Sequence, residues 1–463
     1  MNFAPPHVAP VLVAHLPEPE PRRRLRECFD CGQLHRMGPL PAGVVARCLR
    51  CHAVLGRGRR DPFSRPLALA LTGLLLLFLA VQLPFMGIDL YGRDNAIHLT
   101  TGAAELETYG FWELGAVVFA FTVGAPFARL LCIGAVLSGL RMARPPRFLP
   151  LLFRLDERLR PWAMVEVYLL GVFVAYTKLG DLAFVQVGLA VYALGGLMLA
   201  IAATDAALDP DAVWDTLEAR GLVVAPERLA AALRAAESPE ARVNELIACT
   251  CCVLVVGAAE ATPCPRCGAR LHRRKPEAVA LTWALLVASL VLYVPANMLP
   301  VLTVSRLGQG APSTILGGVQ QLAAAGMWPL AMLVFFASIT VPVLKLIGLA
   351  IMLISIQRRA AGRLQDRTVL FRIVDAIGRW SMIDIFMVSV LVGLVRLGFV
   401  ASVTPGAGAV AFCGVVILTM LAARTFDPRL MWDAVARVQA PPRRRVALRR
   451  WGRPKPFTAR PAS

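Results

Sequence analysis

Charge is scarce in this chain, and so are the signatures of familiar chemistry. Only 17% of its 463 residues are charged against 57% apolar, with a mean hydropathy of +0.62, a balance that excludes an ordinary soluble enzyme of this size. It has no P-loop, no G-x-S-x-G and no H-E-x-x-H, so ATP hydrolysis and the common hydrolase mechanisms have no support. No apolar segment precedes Leu67, and the Pro- and Arg-rich start predicts that no signal peptide is present. The stretches 87–111 and 303–327 are too short to form a separate domain.

Apolar runs are abundant instead. Eight of them, at 66–86, 112–140, 162–180, 182–204, 279–302, 328–356, 380–398 and 405–423, have lengths suited to crossing a hydrocarbon core of about 30 Å as helices. The net charge of +19 is distributed in alternate loops. Arg22–Arg26, Arg57–Arg60, Arg141–Arg160, Arg270–Lys275, Arg358–Arg372 and Arg443–Arg460 fall on one side, and little beyond Arg93, Lys178, Arg306 and Arg396 on the other. Such asymmetry predicts a multi-pass inner-membrane protein with both termini in the cytoplasm. The basic tail then faces anionic lipid headgroups, and no nucleic-acid partner is expected.

The chain repeats itself. A shift of 216 residues carries Cys48 and Cys51 onto Cys264 and Cys267, Leu83-Pro84 onto Leu299-Pro300, Trp112 onto Trp328, Pro126 onto Pro342 and Arg129 onto Lys345. At a shift of 218, Trp162, Met164 and Glu166 meet Trp380, Met382 and Asp384, and Lys178-Leu179-Gly180 meets Arg396-Leu397-Gly398. Asp209-Pro210 and Trp214-Asp215 likewise meet Asp427-Pro428 and Trp432-Asp433. Four spans per copy is an even number, so the copies run parallel. The predicted fold is an all-α polytopic membrane protein of two tandem parallel repeats, each a cytoplasmic zinc-ribbon or rubredoxin-like knuckle followed by four transmembrane helices. Its segments are a disordered tail (1–24), a knuckle (25–60), a membrane module (61–204), a helical linker (205–247), a second knuckle (248–275), a second module (276–425) and a basic tail (426–463). In the linker, Asp209 is expected to cap a helix with Pro210 at its first position and Gly221 at its end.

The knuckles rest on cysteine spacing. Cys28-x2-Cys31-x16-Cys48-x2-Cys51 and Cys249-x2-Cys252-x11-Cys264-x2-Cys267 account for eight of eleven cysteines, with Cys251 beside the second set. Two CxxC turns facing each other complete a tetrahedral sulfur site for Zn²⁺, or for iron in rubredoxin-like form. Gly32 and Gly268 follow such pairs and suit the tight turn. The expected cofactors are therefore two zinc ions, with iron as the alternative. A closed four-thiolate site is structural, not hydrolytic. Cys132 and Cys413 read as packing residues, and His35 and His52 as bystanders.

Ionisable residues inside spans are costly and point to function. Arg129 and Lys345 each follow a proline, Pro126 or Pro342, by three positions near the middle of a long span. Either a kink opens a wet cavity around each cation, or the side chain snorkels to the headgroups; for Arg129 the 12 residues to Arg141, about 18 Å, favour the cavity. Glu166 and Asp384 are expected to pair with Arg160 or Arg379. Lys178 and Asp181, with Arg396, either line an outward-facing pocket or are simply solvated.

Paired four-cysteine knuckles before four-helix units, the Leu-Pro closing the first span, the Pro-x-x-Arg/Lys of the second and the Asp-Pro-x-x-x-Trp-Asp after the fourth resemble the paraquat-inducible protein A (PqiA/LetA-like) family over about residues 25–435. The resemblance implies an inner-membrane component that is not an enzyme. It also implies that the component loads or extracts phospholipid for a periplasmic MCE-domain partner. Arg129, Lys345, Lys178, Asp181, Arg396, Pro126 and Pro342 are the residues expected along the lipid path. Two other classes fit the residues: a metal- or redox-responsive membrane regulator and a rubredoxin-like electron carrier. Cysteine labelling should find residues 60, 150, 270 and 440 in the cytoplasm and 95, 180, 310 and 402 outside. A C-terminus on the outside would mean that the spans are miscounted.

Overall fold

The computed structural model describes residues 24–90, 93–180, 184–237, 246–306, 309–360, 362–395 and 401–439. The expected tails at 1–20 and most of 438–463, together with Asp181 and Arg396, lie outside the described residues. The chain opens with two small hairpins, β1 (Arg24–Glu27) with β2 (Leu34–Met37) and β3 (Val45–Arg47) with β4 (Val54–Arg57). Helix α1 (Ser64–Gln82) follows, then β5 (Met86–Leu90) and β6 (Arg93–Ile97), α2 (Thr101–Thr108) and the long α3 (Trp112–Gly139). Next come α4 (Leu149–Leu159), α5 (Val165–Gly180), β7 (Phe184–Val187), α6 (Leu189–Ala207), α7 (Pro210–Ala219) and α8 (Pro226–Glu237).

The second half starts with β8 (Leu246–Ala248) and β9 (Val255–Gly257), followed by α9 (Ala278–Met298). β10 (Leu302–Arg306) and β11 (Gln309–Ser313), α10 (Ile315–Ala324), α11 (Trp328–Gln357), α12 (Leu364–Ile377) and α13 (Ile383–Leu394) come next. β12 (Ala401–Pro405), α14 (Ala407–Thr425) and α15 (Arg429–Gln439) complete the order. In each half the strand pair after the first long helix binds a third strand that precedes the fourth, giving antiparallel sheets β6-β5-β7 and β11-β10-β12 at the end of the bundle away from the knuckles.

Two expectations need correction. The chain is not all-α, because among the described residues twelve strands of three to five residues build the knuckles and the end sheets. They are too short for a period of two to stand out in sequence. The spans are also uneven: among the described residues seven helices are long and apolar enough to cross a membrane, namely α1, α3, α6, α9, α11, α14 and the continuous Leu364–Leu394 that holds α12 and α13. The run expected at 162–180 folds as the 16-residue α5, about 24 Å by helical rise. The run expected at 182–204 begins as a helix only at Leu189, after β7, and the one at 380–398 holds the 12-residue α13 behind a 3-10 turn, Gly378–Met382.

Both long second spans contain a π-turn, Ala120–Gly124 in α3 and Phe336–Thr340 in α11, just ahead of Pro126 and Pro342. A proline cannot donate to the carbonyl four residues back, and a wider turn accommodates that loss without breaking the helix. Thr122 and Ser338, inside these turns, donate their hydroxyls to Val118 O (2.7 Å) and Val334 O (2.6 Å).

Within each half the first and last long helices pack together, α1 on α6 and α9 on α14. The halves join through α13, every residue of which is buried against α2, α3 and α5, whereas α5 leaves Phe173 and Tyr176 exposed. Lipid tails are as apolar as these side chains, so close packing and not hydrophobic transfer holds such a joint. Close approach is visible at the crossing of α2 and α13: a Cβ on Gly102 would overlap the Ser389 carbonyl, and one on Gly393 would stand 3.0 Å from Gly102 Cα. Gly102→Val should therefore force the halves apart and lower the thermal stability of the detergent-solubilised protein by about 1–3 kcal/mol. Gly134→Ala, inside α3 where a Cβ would meet no other part of the chain within 4 Å, should not lower it and should add up to about 1 kcal/mol from helix propensity.

Candidate metal centres and buried polar residues

Each knuckle brings its four cysteines together on two turns. In the first, Gly32 N donates to Cys28 O (2.8 Å) and His52 N to Cys48 O (2.9 Å); in the second, Val253 N donates to Cys249 O (3.0 Å) and Gly268 N to Cys264 O (2.8 Å). The residue closing each turn has positive φ: 75° at Gly32, 59° at His52, 59° at Val253 and 72° at Gly268. Glycine adopts this at little cost, but His52 and Val253 are held there.

Sulfur pairs lie at 3.5 Å (Cys28–Cys51, Cys31–Cys48 and Cys249–Cys267) and 3.7 Å (Cys252–Cys264). In each set all four sulfurs fall within 4.8 Å of one another and are buried. A disulfide would need about 2.05 Å, whereas a tetrahedral ion about 2.3 Å from each sulfur sets them about 3.8 Å apart. The thiols titrate as sets. The hydrogen bond from Cys31 pulls Cys28 down to about 5, and burial first of all pushes Cys51 up to about 12. In the second set hydrogen bonds from Cys252, Cys264 and Cys267 pull Cys249 down, while Cys252 is pushed well up by its bond to Cys249. Four buried sulfurs at these separations are the donor set that a divalent ion takes, so the residues present fit a bound metal ion.

Two neighbours were not legible from spacing. His35 stays outside the four-cysteine cluster, as expected, but its Nε2 lies 3.3 Å from Cys48 Sγ. Arg372, from α12 in the other half, donates to Cys51 O at 3.0 Å and lies 3.4 Å from Cys51 Sγ. Each knuckle in fact docks on the opposite half. Arg50, between the ligands Cys48 and Cys51, stacks 4.2 Å over Trp432 of α15, and Arg266, between Cys264 and Cys267, lies 5.9 Å over Trp214 of α7 and 2.5 Å from Asp215. Asp209 caps α7 by accepting from Asp211 N (3.1 Å) and Ala212 N (3.4 Å), and Gly221 ends it at φ 71°.

The two span cations have different surroundings. Arg129 is buried and gives Nε to Asp156 at 3.0 Å and Nη1 to Asp205 at 3.2 Å, with Nη2 also on Asp205. Burial pushes Asp156, on α4 outside the spans, up to about 7 against the pull of Arg129. Pro126, Ile133 and Thr204 close around this group without space for a water. Lys345 is equally buried, yet its Nζ makes one hydrogen bond, 2.7 Å to Gly378 O. In the register of 218, Val374 and Ala423 stand where the first half has Asp156 and Asp205.

Glu166 pairs with Arg379 at 3.2 Å, but Asp384 does not take a similar partner. It is buried, and neither carboxylate oxygen has a hydrogen-bond partner among the described residues. Ser338 sits beside it but gives its proton to Val334 O, and the Ser381 and Ser389 hydroxyls are also unpartnered. Lys178, at the end of α5, is close enough for its charge to act on Asp384, and its Nζ lies 3.9 Å from where a Cβ of Gly318 would stand. Sequence reasoning missed Asp156, Asp205, Ser381 and Ser389. The acids sit in arginine-rich or span-end segments where they look like surface charge, and serine in a span is commonplace.

Among the described residues, seven membrane-length helices and two four-thiolate clusters define a multi-pass membrane protein with two candidate metal centres. The sequence model of the family described as Paraquat-inducible protein A, or PqiA, matches residues 63–218 and 279–436, and the chain belongs to that family. It is 34% identical over 410 residues to the intermembrane transport protein PqiA of Escherichia coli K12, covering 88% of this chain and 95% of the relative. It is 32% identical over 438 residues to lipophilic envelope-spanning tunnel protein A of the same strain, covering 94% and 98%. A probable intermembrane transport protein of Haemophilus influenzae is 25% identical over 416 residues, covering 89% and 96%. No solved structure matches the chain. These relatives are named as transport proteins, not enzymes.

Elemental analysis of protein purified without chelator should find about two metal ions per chain, and about one after Cys28→Ser with Cys31→Ser. Colourless protein identifies zinc, and a red iron spectrum the rubredoxin-like alternative. Absence of metal from reduced wild type would overturn both centres.

Proposed function

We propose that this chain is the inner-membrane component of an intermembrane phospholipid transport system, loading lipid into, or extracting it from, a periplasmic MCE-domain partner. The observation that carries this reading is the run of under-partnered polar groups in otherwise apolar spans, Lys345, Ser338, Asp384 and Lys178, in a chain similar to proteins named for intermembrane transport and an envelope-spanning tunnel. Buried charges with few partners are retained where they meet something that passes, and a phospholipid headgroup brings the phosphate and ammonium groups that would answer them.

The two halves are proposed to be parallel copies of one module, supported by the double family match and by π-turns at corresponding positions. Both knuckles and both termini are assigned to the cytoplasm on the distribution of Arg and Lys, with a zinc ion in each knuckle. The end sheets then face the periplasm, where the partner docks. Asp181 and Arg396 are assigned to the outer mouth of the path with Lys178, and Pro126 and Pro342 to the π-turns that shape the second spans. Arg129 takes the structural part, because two carboxylates already answer it.

Lys345→Met and Asp384→Asn should lower photocrosslinking of phospholipid probes to the chain in native membranes by about tenfold or more. A hydrogen bond to a charged group contributes about 1.5–3 kcal/mol. Arg129→Met should instead lower thermal stability by about 3–5 kcal/mol, since it strands the buried Asp156 and the half-buried Asp205. Normal crosslinking in both of the first two variants would reject the proposed lipid path.

A further inference from the structure

The helix between the second and third spans of each half touches two places at once. α12 presents Gln365, Thr368 and Arg372 to the first knuckle and to the helix beside it. Gln365 Nε2 donates to Arg50 O (2.8 Å), Thr368 Oγ1 accepts from Trp432 Nε1 (3.2 Å), and Arg372 Nε donates to Asp30 (2.7 Å) while Nη2 reaches Cys51. Less than two turns beyond Arg372, Gly378 O takes the hydrogen bond from Lys345. α4 has the same plan. Arg154, the counterpart of Arg372 in the register of 218, has Nη1 against Gly268 next to Cys267 of the second knuckle, and Asp156 takes the hydrogen bond from Arg129.

Each interfacial helix thus joins the knuckle of the other half to the buried cation of its own half. The two joints differ in stiffness. Arg129 is clamped by two carboxylates, whereas Lys345 hangs on one carbonyl at the start of a 3-10 turn, the least regular point between α12 and α13.

We propose that Arg372 is a positioning residue that makes Lys345 answer to the metal in the first knuckle. A divalent ion with four thiolates carries a net double negative charge, and it draws the Cys28 and Cys48 turns together so that Cys51 faces α12. The Arg372 guanidinium meets that charge and holds α12 in the position that gives Lys345 its acceptor. Loss of the ion opens the knuckle, frees α12 at Arg372 and withdraws Gly378 O from Lys345. The first half, locked by Asp156 and Asp205, does not respond in this way. The inference rests on the lipid-path reading only for its effect on transport; the linkage from metal to α12 stands or falls without it.

The test uses the full-length protein in lipid nanodiscs, with hydrogen exchange read over residues 364–382 and 149–159 and metal release read with a colorimetric chelator. Arg372→Gln should keep about two ions per chain but release one of them about tenfold faster, the usual size of an outer-shell effect. Its exchange over 364–382 should rise to that of the Cys28→Ser, Cys31→Ser double variant, with 149–159 unchanged. Arg372→Lys should recover part of the protection, because a cation still reaches Cys51, which a purely packing role would not show. Emptying the second knuckle with Cys249→Ser and Cys252→Ser should leave 364–382 protected. Should Arg372→Gln fail to fold, wild type stripped of metal by chelator supplies the same comparison. Equal protection of 364–382 with and without metal in the first knuckle would overturn the proposal. Loss of protection with unchanged lipid crosslinking would leave the linkage standing and reject the transport role of Lys345.

Discussion

A cation inside a bundle of apolar helices has to be answered by something, and the way each half answers its own organises the molecule. Arg129 draws in α4 and the end of α6 through Asp156 and Asp205, which ties the second span, the interfacial helix and the fourth span into one unit. Lys345 draws in the turn between α12 and α13 through one carbonyl. The knuckles are placed by the same helices, since α4 and α12 cannot carry these acceptors without also presenting Arg154 and Arg372 to the opposite knuckle. A buried charge is weak evidence for stability, and here its contacts share α4 and α12 with those of the knuckles.

Much of this was legible in the sequence because the strongest constraints leave periodic or paired traces. A membrane helix must satisfy its own backbone over about 20 residues, so six of the long spans could be read from composition. Four cysteines in two CxxC pairs have few geometric solutions, and both clusters closed as spaced. The end sheets were invisible because strands of five residues or fewer pair with partners far away in the chain, β5 with β7 and β10 with β12. The shortness of α5 and α13 was hidden for a related reason: the apolar composition continues past the helix end into turn and strand, where it serves packing.

The partners of the charges were the least legible part. Nothing in the spacing of Asp156, within Arg154 to Arg160, distinguishes it from a solvated acid, and only the fold carries it under Arg129. Asp384 illustrates the opposite failure. Its neighbour Arg379 made an interfacial ion pair the natural expectation, but Arg379 takes Glu166 from the other half, and Asp384 turns inward beside Ser338. A contact between halves thus decided which acid is spent at the surface and which remains inside.

The π-turns in α3 and α11 also fix which way the first two turns of each of these helices face. A π-turn is a helix with one residue inserted, and each residue of an α-helix advances the face by about 100°. Trp112–Phe119 and Trp328–Phe335 are therefore rotated by about that angle from the direction that the rest of their helix would give them. Leu114 and Val118 reach the core through this rotation, and so do Leu330 and Val334. Losing one residue from either turn would straighten the helix and aim those side chains at lipid, so the length of these spans carries information that their composition does not.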